Sequence, residues 1–149
     1  MQEKTLIILI GLQGSGKSTF YRTHLADYVH VNLDTQKNRT AEWELVEDCL
    51  ASGKSLVIDN TNASLAERAR YIQPARAAGY RIEGYFLSSK FDECMARNAK
   101  REGKACVPKV ALAATKKRLV YPSLAEGFDA LYYVKNDGEE MTVFPWRTE

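Results

Sequence analysis

The chain has 149 residues, 45% of them hydrophobic and 27% charged, with a formal net charge of +2. That is the composition of one globular domain with a sizeable core, and it excludes disorder, collagen-like repeats and a two-domain enzyme. No apolar run nears the ~18 residues that cross a bilayer, and the opening MQEKT lacks a signal-peptide layout, so a cytoplasmic location (nuclear in a eukaryote) is expected, without secretion or membrane.

Apolar runs alternate with helix-period segments from the first residues onward, as in a parallel sheet with crossover helices, so an α/β fold is expected. The run at 5–10 reads as a strand buried on both faces and ended by Gly11. A helix starting near Gly16 presents Phe20, Tyr21, His24 and Leu25, and a second short strand covers 28–32. Trp43, Leu45, Val46 and Leu50 mark an amphipathic helix that stops near Gly53, and 55–59 is a third strand. An Ala-rich helix over about 65–78 has Gly79 as its cap and Pro74 as a site for a kink. A fourth strand covers 81–87, a helix 91–101 and a loop 102–107, with Pro108 in the first turn of a helix reaching about Leu119. Residues 131–134 form a fifth strand and 141–146 a final edge strand. There is no internal repeat or low-complexity linker.

Cys49, Cys94 and Cys106 are odd in number and lack CxxC or Cys/His spacing, so reduced thiols are expected and neither a disulfide framework nor a structural zinc. Charge is local. Between Lys90 and Arg118 nine basic residues face three acidic ones, about +6, which leaves about −4 elsewhere. By itself such a run is a solvated helix face.

Gly11-Leu12-Gln13-Gly14-Ser15-Gly16-Lys17-Ser18 matches G-x-x-x-x-G-K-[ST] in full, between a strand and a helix. Phosphate oxygens need many donors close together, and glycines at 11, 14 and 16 permit the positive φ and close approach that turn the backbone N–H groups inward. The helix that follows adds its N-terminal N–H groups and dipole. Gly11, Gln13, Gly14, Ser15, Gly16, Lys17, Ser18 and Thr19 are therefore the candidate ATP-binding residues, with Lys17 bridging the β- and γ-phosphates and Ser18 ligating Mg²⁺. The motif and the alternation predict a three-layer P-loop NTPase/kinase fold. It has a mostly parallel sheet of about five strands, helices on both faces and a basic helical lid near 97–118, in a single domain of 1–149.

Asp34 follows the second strand, at the sheet edge where open α/β sheets bind ligands, and is the candidate general base for transfer to an alcohol; the same position also suits a helix N-cap. Asp59 ends the third strand, where a Walker-B-type acid orients magnesium or its waters. Asn60, Thr61 and Asn62 follow as a polar loop at the same edge, able to touch an acceptor or simply to form a turn. Arg97 and Arg101, four apart on one helix face, suit a lid that stabilises charge on the transferring phosphoryl group, or an ordinary solvated surface.

The P-loop, Val-Asn-x-Asp-Thr at 31–35, Ile-Asp-Asn-Thr-Asn at 58–62, Arg-Asn-Ala-Lys-Arg at 97–101 and Val-Pro at 107–108 occur in this order. In that combination the chain resembles the kinase module of 5′-polynucleotide kinases over about residues 5–135. The lid stretch RNAKREGKACVP is similar to the phage members, and VIDNTN, RARYIQ and LAEGFDAL to the animal ones. The resemblance implies transfer of the ATP γ-phosphate to the 5′-hydroxyl of DNA or RNA in nucleic-acid end repair. It assigns phosphate and Mg²⁺ contacts to Lys17 and Ser18, the base to Asp34, and the lid arginines to Arg97 and Arg101. Leu33 stands where the resembled proteins carry Arg, and Lys37 where the phage protein has an Arg that holds the acceptor's phosphate. Lys37 keeps the charge without the bidentate fork, and Arg39 can compensate. No DxDGT-like or ligase-type lysine segment is present, so separate phosphatase or ligase proteins are the expected partners. Two other readings remain at this stage: a small-molecule kinase acting on a sugar, nucleoside or antibiotic alcohol, and an ATP-binding regulatory module without transfer.

Overall fold

The computed structural model describes residues 4–36, 38–87, 91–100, 107–136 and 140–146. Among the described residues six strands form one sheet: β1 (Thr5–Ile10), β2 (Val29–Val31), β3 (Leu56–Asp59), β4 (Arg81–Leu87), β5 (Ala130–Asn136) and β6 (Met141–Pro145), in the order β2-β3-β1-β4-β5-β6. The first five pair in parallel, and β6 closes the edge antiparallel to β5. The helices are α1 (Lys17–His24), α2 (Leu33–Gln36), α3 (Arg39–Ser52), α4 (Leu65–Ala77), α5 (Phe91–Ala99) and α6 (Lys109–Arg118), with a 3-10 turn at Leu124–Glu126.

All six residues of β1 are buried because the central strand has helices on both sides. The pleat sorts them: Leu6, Ile8 and Ile10 pack with Val46 and Cys49 of α3 and Tyr71, Ile72 and Ala75 of α4, while Ile7 and Leu9 pack with Phe20 of α1. A small third cluster, Leu12, Cys94 and Leu112, joins the loop after β1 to α5 and α6.

Three features bear on the sequence reading. The short α2 has no counterpart in the sequence reading; Asn32 caps it, its Oδ1 accepting the Thr35 N–H at 3.2 Å while its own N–H donates to Gln36 Oε1 at 2.8 Å. Pro74, read as a site for a kink, lies in the last turn of α4, where its carbonyl still accepts the Ala78 N–H at 3.1 Å. The helix closes one residue later through Gly79 at φ 82, with the Gly79 N–H on Arg76 O and the Tyr80 N–H on Ala75 O, the paired bonds of a Schellman motif. Third, β2 is shorter and β5 longer than the hydrophobic runs suggested. Cys49 and Cys94 are free and buried; Cys106 lies outside the described residues.

Candidate active site

The loop between β1 and α1 is built around two glycines rather than three. Gly14 and Gly16 take φ of 82 and 101, whereas Gly11, expected to share that conformation, is not among the positive-φ glycines. Both positions are also crowded. A Cβ on Gly14 would lie 2.4 Å from Cys94 O of α5, and one on Gly16 would lie 2.7 Å from Asn136 Nδ2 and from Met141 Cε. Asn136 Nδ2 donates to Ser15 O at 3.0 Å, so the β5–β6 hairpin grips one side of the loop and α5 the other.

Lys17, nearly buried, donates from Nζ to Gly11 O at 3.0 Å and Leu12 O at 2.9 Å, which holds the ammonium across the mouth of its own loop. Gln13 Nε2 donates to Thr115 Oγ1 of α6 at 3.0 Å, while Gln13 Oε1 and Ser15 Oγ are buried without a partner. Thr19 is exposed, and its hydroxyl accepts from Arg22 Nη2 at 3.1 Å.

At the end of β3 the Ser18 hydroxyl donates to Asp59 Oδ2 at 2.7 Å, and His30 Nε2 stands 2.7 Å from the same oxygen. An ionised carboxylate only accepts, so Nε2 carries the imidazole proton. The His30 ring stacks on Tyr21 with centroids 4.1 Å apart. Asp59 is 1% exposed. Burial pushes its carboxyl upward, but the His30 hydrogen bond, the Lys17 charge and the Ser18 hydroxyl together hold it below the ordinary carboxylate value. A hydroxyl beside a dependable carboxylate is a hard-oxygen pair suited to Mg²⁺. Among the described residues no group of three or more His, Cys, Asp or Glu could hold a metal, so phosphate oxygens and waters would complete such a shell.

A cavity of about 550 Å³ runs along the C-terminal edge of the sheet. Gly14, Gly16, Lys17, Ser18 and Thr19 line it from the loop after β1 and the start of α1, Arg97 from α5 and Val107 from before α6, and Asn32, Leu33, Arg39, Asn60 and Thr61 from the segments after β2 and β3. Arg97 Nη1 donates to Gly14 O at 3.2 Å, tying α5 to the loop. Asn98 ties α5 to the residue before Pro108, donating to Val107 O at 2.8 Å and accepting the Val107 N–H at 3.0 Å.

The sequence-predicted residues distribute unevenly over this geometry. Asn60 lines the cavity, but its amide is also bound inward, accepting the Leu33 N–H and donating to Glu42. Asn62, at φ 47 and 2% exposed, donates to Leu9 O, Ile58 O and Asn60 O, which makes it a clamp between β1 and β3 outside the cavity lining. Asp34 is the second residue of α2 and follows Leu33, which lines the cavity. Lys37 and Arg101 lie outside the described residues. Sequence reasoning missed His30, Asn32, Arg22 and Glu42. Asn32 and His30 had usable signals, Asn32 as part of Val-Asn-x-Asp-Thr and His30 as an imidazole two residues before Asn32 at the end of a strand.

A model for the AAA domain family matches residues 6–122, from β1 to the segment after α6. The chain belongs to this family. It is similar to "Putative bifunctional polynucleotide phosphatase/kinase" of Acanthamoeba polyphaga mimivirus, at 32% identity over 138 residues, 87% of this chain and 33% of that one. It is also similar to the bifunctional polynucleotide phosphatase/kinase of Schizosaccharomyces pombe, at 28% identity over 132 residues, 85% of this chain and 32% of that one. The AAA-domain chain thus spans about a third of the length of these curated relatives. In fold it resembles Chaetomium thermophilum Kti12, solved in complex with ADP-AlF3, with a TM-score of 0.67 at 18% identity over 91% of each chain.

Proposed function

We propose that this domain, comprising 1–149, transfers the γ-phosphate of ATP to the 5′-hydroxyl of a DNA or RNA end. The single observation that carries the proposal is the continuity of the cavity, from the P-loop and Asp59 to Leu33 at the start of α2, Arg39 and Asn60. A phosphoryl group held by the loop then faces an acceptor held at α2. The two polynucleotide phosphatase/kinase relatives, alike over nearly all of this chain, support that acceptor class.

In this reaction the acceptor oxygen forms a bond to the γ-phosphorus, the bond to the β,γ-bridging oxygen breaks, and the hydroxyl proton passes to the Asp34 carboxylate. The loop N–H groups and Lys17 bind the phosphates, and Lys17 gives up its hold on the Gly11 and Leu12 carbonyls to do so. Ser18 and Asp59 would hold Mg²⁺, which supplies neutralisation of the phosphate charge. Arg97, with Arg101 four residues on, supplies positive charge from the lid.

The test is transfer of labelled γ-phosphate from ATP and Mg²⁺ to 5′-OH oligonucleotides, DNA and RNA side by side, with small alcohols as competitors. Labelled oligonucleotide is the expected result. Label moving only to a small alcohol would overturn the acceptor class, and tight ATP binding with no transfer to any acceptor would overturn the kinase reading.

A further inference from the structure

Glu42 belongs to none of the sequence motifs, yet it is fully buried in the first turn of α3 and both its oxygens are engaged. Oε1 accepts from Arg39 Nη1 at 3.0 Å and from the Tyr71 hydroxyl at 2.9 Å; Oε2 accepts from Asn60 Nδ2 at 2.6 Å. The Tyr71 hydroxyl is itself 3.0 Å from Arg39 Nη1 and 3.3 Å from Asn60 Nδ2, which closes a four-residue network.

Two members of this network line the cavity. Arg39 is half-exposed and anchored through Nη1 alone, and among the described residues its Nε and Nη2 make no hydrogen bond. Asn60 Oδ1 accepts the Leu33 N–H at 2.9 Å, immediately before Asp34. A carboxylate buried in a core is costly, and an apolar side chain would join α3 to α4 at least as well. What the carboxylate adds is orientation, because it fixes a guanidinium and an amide at one end of the site.

We propose that Glu42 is the positioning residue of the acceptor end. It aims Arg39 at the phosphate next to the reacting hydroxyl, and through Asn60 it braces the turn that carries Asp34. The inference deepens the reading of the chain as a kinase for polynucleotide ends and rests on it. The free donors of Arg39 suit a phosphate bidentately, so an acceptor bearing that phosphate is preferred over one without it, and the preference passes through Glu42.

The experiment compares a nucleoside 3′-monophosphate with the matching nucleoside as acceptors for the wild-type chain, Glu42→Gln, Arg39→Ala and the double variant, with Tyr71→Phe alongside. Wild type favours the phosphorylated acceptor, and Glu42→Gln lowers kcat/KM for that acceptor roughly tenfold or more while the KM for ATP stays within about twofold. The double variant discriminates no less than Arg39→Ala alone, because the two residues act as a unit. Should Glu42→Gln fail to bind ATP, Tyr71→Phe carries the test, since it removes only the hydroxyl shared by Arg39 and Asn60, and it moves the preference in the same direction by less. A Glu42→Gln chain that binds ATP and keeps both its turnover and its acceptor preference would overturn the proposal and leave the network purely structural. If the wild-type chain phosphorylates neither these acceptors nor 5′-OH oligonucleotides, the kinase reading itself falls and takes this inference with it.

Discussion

At the scale of single residues, Asp59 shows how neighbours set a carboxylate's chemistry. Its ionised form is favoured in the folded chain, so the stability it contributes is complete above the ordinary carboxylate pKa, near ~4, and is lost as pH falls through its lower folded value. Urea titrations from neutral pH downward should therefore show wild type losing stability more steeply below about pH 4 than Asp59→Asn, which has nothing to protonate there. Asp34→Ala should abolish phosphoryl transfer and leave ATP affinity within a few-fold, as measured by calorimetry and by the labelled-phosphate assay; a variant keeping most of its activity would remove Asp34 as the base. Arg101→Ala should lower kcat by ~10³ if that guanidinium acts in cis on the transferring phosphoryl group. A change in KM alone would assign it to uniform binding. Asp59 was legible in the sequence because it ends an apolar triplet at the close of a strand. Its partner His30 was not, since the contact exists only after β2 pairs with β3, with His30 opposite Val57.

At the scale of elements, the P-loop is held as much by what packs on it as by its own turn. Gly14 sits at φ 82 with the carbonyl of Cys94 where a side chain would go. Gly14→Ala should cost at least about 1–2 kcal/mol for the left-handed backbone alone. It should also push α5 off the loop, so that nucleotide affinity falls together with the denaturation midpoint. The motif announces glycine at this position, but only the packing of α5 reveals the second reason for it. The opposite case is α2, whose four residues are too few to leave a periodic signal; it exists because Asn32 caps it and Asn60 accepts its first N–H. Asn62 was read either as an acceptor contact or as a turn residue. Asn and Thr after a strand look alike in sequence whether they face solvent or, as Asn62 does, bind the carbonyls of two strands.

At the scale of the whole molecule, the uneven charge bears on the acceptor. With most of the positive excess carried between Lys90 and Arg118, the KM for a single-stranded oligonucleotide should rise with salt, its log–log slope growing by about 0.7 for each phosphate neutralised. The KM for a small uncharged alcohol should stay nearly flat, and steady-state assays across a salt series separate the two. The α/β class, the order of the five parallel strands along the chain and the phosphate-binding loop were determined by the sequence alone, because hydrophobic period and glycine spacing are local properties. Only the tertiary structure decided which polar residues meet. His30 with Asp59, Glu42 with Asn60 and Tyr71, and Gln13 with Thr115 are 29, up to 29, and 102 positions apart. Such contacts depend on strand order and helix packing, and no local pattern in the chain encodes them.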